Sequence, residues 1–383
     1  MRAGRLRGAL VALAGAAALV GAGVVAAPAA SADGSGHHQS AHLYVSTKGT
    51  DGPNCGRPSS PCRTIGAAVA NASAGGEISV ARGVYDESVT ITKTLELEGH
   101  HATIDATGQI NGIKISGHGA DHSRVHGFTV QHAIGEGVAV TLADWVTIDH
   151  NKVIMNDQGG QGTPNTYPPC QPQGEVPGDC NEALHLDATA HARVDDNLVQ
   201  HNVGGILIDD DSGPSHDNWI TDNVSRDNMD DCGITMPSHN PMGTVFNNVI
   251  RDNVSANNGA AGILIAAAGP GMKAHDNVVD DNKVWGNGEG GVQLHAHAPG
   301  QSIDNNRITD NWIGTNTTAG DPDAGITQTT GVIVFSAVVP VNGTVIRGNV
   351  IAHNHFGIWL SPNVANGGIT HNRFRDVVVP VQQ

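Results

Sequence analysis

The chain has 383 residues and a formal charge of −17, with 37 acidic side chains against 20 Lys and Arg. Such an acidic surface repels nucleic acid and anionic membranes and excludes partners of that kind. Aromatics make up only 3% and Gly numbers 50, a composition that would suit disorder except that Val and Ile recur in short alternating runs.

The first element is an export signal. Arg2, Arg5 and Arg7 precede an Ala/Leu/Val/Gly run from Ala9 to Ala27, and Ala30-Ser31-Ala32 offers a small-residue cleavage site before Asp33. Cleavage there, over residues 1–32, would take the charge from −17 to −20 and leave no stretch able to cross a bilayer. A secreted, extracellular protein follows. Five cysteines in an exported chain ask for pairing. Cys55 pairs locally with Cys62 and Cys170 with Cys180, and Cys232 stays a buried, inert thiol.

Residues 33–41 read as a flexible leader and 42–77 as a cap on a repeat domain that runs to 383. Leu43-Tyr44-Val45 is a strand, and Thr64 to Ala72 has helical spacing. Strands follow at Ile78–Val80, Val89–Ile91 and Leu95–Leu97. Beyond them an asparagine recurs five residues after another at Asn151/Asn156, Asn197/Asn202, Asn223/Asn228, Asn248/Asn253, Asn277/Asn282, Asn306/Asn311 and Asn349/Asn354. A small residue followed by an aliphatic one marks the interval, as at Gly205-Ile206, Gly233-Ile234 and Gly262-Ile263. The period is mostly 22 to 29 residues, the signature of a solenoid whose coils bury their apolar faces against their neighbours. One all-β domain is expected, a monomer or weakly associating.

Two insertions, 159–181 and 315–330, break the period at the same point of the coil. The strands from Ala183 to Gly331 lie between them, so at about 4.8 Å per coil the loops would stand roughly 24 Å apart as walls of a groove.

Every second side chain of these strands points outward. Aligned on the small residue that opens each strand, His185, Gln293 and Trp359 share one row, Asp187, Asp209, His295 and Phe335 the next, and Asp211, His239 and His297 the third. Asp187 and Asp209 become lateral neighbours, and with Asp211 they offer oxygen ligands for calcium. Asp211 beside His239 pairs a carboxylate with an imidazole, and His185, His239 or His297 could act as base. His295 and His297 with His239 offer a transition-metal alternative. Phe335 and Trp359, with Gln293, His295 and His297, suit a sugar-binding subsite.

The opening, Tyr44 … Pro61-Cys62-Arg63-Thr64-Ile65 … Gly83-Val84-Tyr85 … Leu95-Glu96-Leu97-Glu98-Gly99, resembles the first coils of pectin-lyase-like right-handed parallel β-helix proteins. That resemblance implies the fold and an extracellular polysaccharide as partner, and covers nearly the whole mature chain. Its members include hydrolases, lyases, epimerases and adhesins, so polysaccharide modification and noncatalytic binding both stay open. Asn228-Met229-Asp230-Asp231-Cys232 resembles the acidic motif of polygalacturonase-type glycoside hydrolases, which implies catalytic roles for Asp230 and Asp231. The third acidic position of that motif holds Val203-Gly204 here. The repeats also resemble those of periplasmic proteins linked to copper loading of nitrous oxide reductase.

Overall fold

Three main strands make each coil, and a fourth of two residues joins them in three coils, at Ser215–His216, Val245–Phe246 and Ala274–His275. In the computed structural model, which describes residues 42–157, 182–365 and 367–383, one coil runs through Trp219–Thr221, Val224–Arg226 and Ile234–Ser238, and the next repeats it at Val249–Arg251, Val254–Ala256 and Ile263–Ala267. Every inter-coil pairing is parallel, giving the right-handed parallel β-helix expected. The signal segment, the leader, the insertion at 159–181 and the Cys170/Cys180 pair lie outside the described residues.

The interior is a set of aliphatic columns. Ile206, Ile234, Ile263, Val292 and Val332 pair in register through successive coils and are fully buried. Each buried side chain of this size contributes about 1.5–3 kcal/mol. The glycine that opens each of these strands is set by close approach: a Cβ on Gly205 would lie 2.0 Å from the Gly233 carbonyl oxygen, and one on Gly262 would lie 2.6 Å from that of Gly291.

The corners on either side of the strand Trp219–Thr221 are two residues long, at 217–218 and 222–223. The first adopts a left-handed conformation, as at Asp222 (φ 56°), Asp252 (φ 57°) and Asp281 (φ 55°). The second is a buried asparagine stacked on its counterparts. Asn223 donates through Nδ2 to Asn253 Oδ1 at 3.0 Å, and Asn253 to Asn282 at 3.0 Å. Asp, Asn and His tolerate the left-handed region better than most residues. Eight of the 21 histidines, including His150, His191, His201 and His353, occupy it, so much of the histidine content serves corners.

The first described elements are a strand and a helix. His42–Val45 pairs with Gly76–Val80, and the helix Ile65–Asn71 starts at Thr64, whose hydroxyl accepts from the Ala67 amide. The Glu87 carboxylate receives the Ile65 and Gly66 amides at 2.8 and 2.9 Å. Ile65, Ala68 and Val69 are buried beneath the helix. Cys55 and Cys62 form a disulfide, and Cys232 is a buried free thiol that desolvation, Asp231 and Glu289 push well above its ordinary pKa. No helix among the described residues is long and apolar enough to cross a membrane.

Candidate functional site

The third face of the coil carries the chemistry. Its strands stack in the order Glu182–Asp187, Gly204–Asp209, Ile234–Ser238, Ile263–Ala267, Val292–Ala296, Thr330–Ser336 and Phe356–Leu360. The register pairs Asp187 with Asp209, Ala266 with His295, His295 with Phe335, and Ile333 with Trp359. Outward rows drawn from alternation therefore exist. They form no open plane: Asp209, Thr235, His239, Gln293 and His295 all point outward yet are buried.

Two clusters emerge. In the first, His185 Nε2 lies 3.0 Å from Asp209 Oδ2 and its Nδ1 3.6 Å from Glu136 Oε1. His239 Nδ1 lies 3.9 Å from Asp209 Oδ2 and 3.1 Å from Asp211 Oδ1. Carboxylates and imidazoles thus alternate from Glu136 through His185, Asp209 and His239 to Asp211. Asp210, between the two outward acids, turns inward and accepts the Ser238 hydroxyl and the His239 and Asn240 amides, which fixes the backbone that presents His239.

Burial sets the electrostatics. It lifts the Asp209 carboxyl, the His185 imidazolium offsets part of that, and Asp211 and Asp187 add to it, leaving a pKa of about 6. Burial opposes the charge on His185, but Asp209 and Glu136 outweigh it and hold that imidazole protonated well above its usual range. Side chains of Asp209 and His239 are each 1% exposed, whereas His185 is 13% and Asp211 21% exposed. His185 and Asp211 are the members a ligand reaches first.

The second cluster centres on Val292–Ala296. His295 is wedged between Asp321 and Asp323 of the second insertion, 3.6 Å from each. His297 is 3.7 Å from Asp323. Burial alone would lower the His295 pKa, yet the two carboxylates raise it to about 9. Gln293 donates to Asp321 at 2.8 Å, so it supports this loop. Phe335 packs against both histidines, with Trp359 beyond it. Leu264, Ala266 and Ala268, all half-buried, form a floor of mostly small side chains between the clusters.

Several expected groupings are not brought together. Asp187 turns both carboxylate oxygens to Ser212, at 2.8 Å to its amide and 2.5 Å to its hydroxyl, so of the expected calcium ligands only Asp209 and Asp211 converge, with His239 beside them. The metal trio of His295, His297 and His239 is split. Ser238, Ala267 and Ala296 pair in sequence, which puts His239 and His297 two coils, or roughly 10 Å, apart. Asp230 and Asp231 sit at the entry to Ile234–Ser238, their amides donating to the Val203 carbonyl and the Asp231 carboxylate receiving the Cys232 amide. A whole strand, roughly 15 Å, separates them from His239, too far to share one glycosidic bond with Asp209 or Asp211. Glu136, Asp321 and Asp323 were missed by the alternation because none lies on a strand of this face. The signal for the last two was Asp321-Pro322-Asp323-Ala324-Gly325, a turn sequence inside the insertion.

The model of the family described as "Periplasmic copper-binding protein (NosD)" matches residues 111–382. No curated protein matches the chain. Among solved structures, the Azotobacter vinelandii mannuronan C-5 epimerase AlgE4 A-module is similar at 16% identity and a TM-score of 0.58, over 80% of this chain and 89% of that one. The catalytic domain of a GH87 alpha-1,3-glucanase in complex with nigerose is similar at 11% identity and a TM-score of 0.53, over 94% and 70%. At these identities the likeness is one of fold.

Proposed function

We propose a function from one premise: the chain belongs to the periplasmic copper-binding protein (NosD) family. That membership agrees with an exported chain and with the fold. The outward side of the third face favours an acid–base enzyme acting on an extracellular polysaccharide. The observation that carries this reading is the buried alternation of Glu136, His185, Asp209, His239 and Asp211, with one carboxyl near pKa 6. A proton donor and acceptor work best with a pKa near the working pH; burial supplies it at Asp209, which His239 connects to Asp211. Asp211 touches the substrate and exchanges a proton with it; His239, 3.1 Å behind, orients and relays. The similar structures named an epimerase and a glucanase agree with a glycan lying across the strands. Phe335 and Trp359 supply stacking faces at one end of it.

So many carboxylates repel a polyuronate, so the substrate is a neutral glycan and the reaction hydrolysis. A calcium ion on the Asp209 and Asp211 carboxylates would reverse that preference by bridging a uronate carboxylate. Incubating the protein with and without calcium against neutral and uronic-acid polysaccharides, reading reducing ends and unsaturated products together, tests the reading. Reducing ends on neutral glycans are the expected result. Unsaturated products appearing only with calcium would replace hydrolysis by elimination. Binding without either product would return the chain to a polysaccharide-binding role.

Copper is the metal that the family description names. Soft cuprous ions prefer sulfur, but Cys232 and Met236 are buried and Met229 and Met242 are separate surface residues. Imidazole and carboxylate suit the cupric ion, and His295, His297 and Asp323 would hold it. Bound there, it would supply a Lewis acid beside Phe335 and Trp359.

A further inference from the structure

The second insertion turns back over the third face as a small hairpin. Asp321 and Ile326 exchange backbone hydrogen bonds of 2.8 and 2.9 Å, and Gly325, at φ 64°, makes the reversal. Its tip delivers Asp323 to the two histidines that alternate along the strand below. Asp323 Oδ2 lies 3.6 Å from His295 Nδ1 and 3.7 Å from His297 Nε2. Around a tetrahedral ion with bonds of about 2.0–2.1 Å, neighbouring donors stand about 3.3–3.4 Å apart. The two Asp323 spacings are within a few tenths of an ångström of that, and the three donors all lie within 4.8 Å of one another.

The outer nitrogen of His295 strengthens the case. Its side chain is 6% exposed, and Nε2 has no hydrogen-bond partner while facing Asp321 Oδ2 at 3.6 Å. Ligating imidazoles commonly direct their second nitrogen at a carboxylate, which fixes tautomer and orientation. Asp321 is itself anchored by Gln293 Nε2 at 2.8 Å and the Ala324 amide at 2.9 Å. Carboxylate, imidazole and second carboxylate are therefore arrayed as an outer group, a ligand and a co-ligand. His297 and Asp323 side chains are 37% and 55% exposed, which leaves an entry path and a free coordination position.

The geometry points to a mononuclear site for a divalent first-row transition ion, held by His295 Nδ1, His297 Nε2 and Asp323 Oδ2, with Asp321 behind His295. Two imidazoles and a carboxylate select ions of the zinc and cupric kind over calcium or magnesium. The site is independent of the acid–base reading, since its donors lie coils away from Asp209 and His239, and either can fail alone.

Chelator-treated protein titrated with Zn2+, and separately with Co2+ while its visible bands are recorded, tests it. One equivalent should bind, and Co2+ should show the intense bands of a four- or five-coordinate centre. His297→Ala and Asp323→Ala should each weaken Zn2+ binding at least about 10-fold, and Asp321→Asn about 10- to 100-fold. His100→Ala, an exposed histidine elsewhere, should leave it unchanged. In the unaltered protein, Zn2+ should block diethyl pyrocarbonate labelling of His297, a readout that needs no variant. Octahedral Co2+ spectra, affinities equal in wild type and Asp323→Ala, or unhindered labelling of His297 would overturn the proposal and leave an ordinary ion-pair cluster.

Discussion

Asp209 and His185 are both displaced upward in pKa, and the two displacements act on stability in the same sense. For Asp209 the folded state resists ionisation, so a penalty absent below 3.8 is complete above about 6. For His185 the folded state favours the proton, so its stabilisation is full below 6.5 and is lost as pH rises through the raised folded value. The fold should therefore weaken from mildly acid to alkaline pH. His185→Gln should flatten the alkaline part of that decline in urea melts taken across the range, and an unchanged slope would deny the pairing. In an activity assay, Asp211→Asn and His239→Ala should lower kcat by about 10²- to 10⁴-fold with the circular dichroism spectrum preserved. How these residues meet was legible, because alternation on a strand is a strict period of two and placed Asp209, Asp211 and His239 on one surface. Which acids are already spent was not. Asp187 is engaged by Ser212 and Asp231 by its neighbour's amide, and such local choices leave no periodic trace.

At the scale of the coil, the seven asparagine pairs were a partial view of a three-cornered pattern. Asn218, Asn223 and Asn228 occupy three successive corners, as do Asn248, Asn253 and Asn258, and their side chains stack in three separate ladders. A spacing of five alone cannot tell which two of three corners a pair fills. Asn223/Asn228 and Asn248/Asn253 are in fact offset by one corner. Within a ladder each member is buried and multiply bonded. Asn253 Nδ2 donates to the Ile220 and Arg251 carbonyls and to Asn282, while its Oδ1 accepts from Asn223. Asn253→Ala orphans several buried groups and should cost about 3 kcal/mol or more. Asn372→Ala, at the half-buried end of the same ladder, should cost less than half as much by equilibrium denaturation. The insertion 315–330 was visible as a break in period, but not its hairpin or the reach of Asp323, since a loop's path depends on what it packs against.

Across the whole repeat domain, each coil answers only to its neighbours. Reducing the Cys55–Cys62 bond should therefore loosen the cap without reaching the groove. Hydrogen exchange in reductant should rise over 42–80 and stay unchanged over 182–365; a rise throughout would mean that the cap holds the solenoid as a unit. The ladders carry a different implication, for chemical ageing. Asparagine before glycine is the sequence most prone to cyclise and deamidate, by attack of the following amide nitrogen on the side-chain carbonyl carbon. Asn258-Gly259 and Asn287-Gly288 are such sequences, yet the glycine amides are engaged by the Asn228 and Asn258 carbonyls at 2.8 and 2.9 Å and the side chains are locked in the stack. Asn342-Gly343 is exposed. During prolonged warm storage, peptide mapping should find isoaspartate at Asn342 well before Asn258 or Asn287, which change only after unfolding, so that the corners that define the coil also preserve the covalent chain.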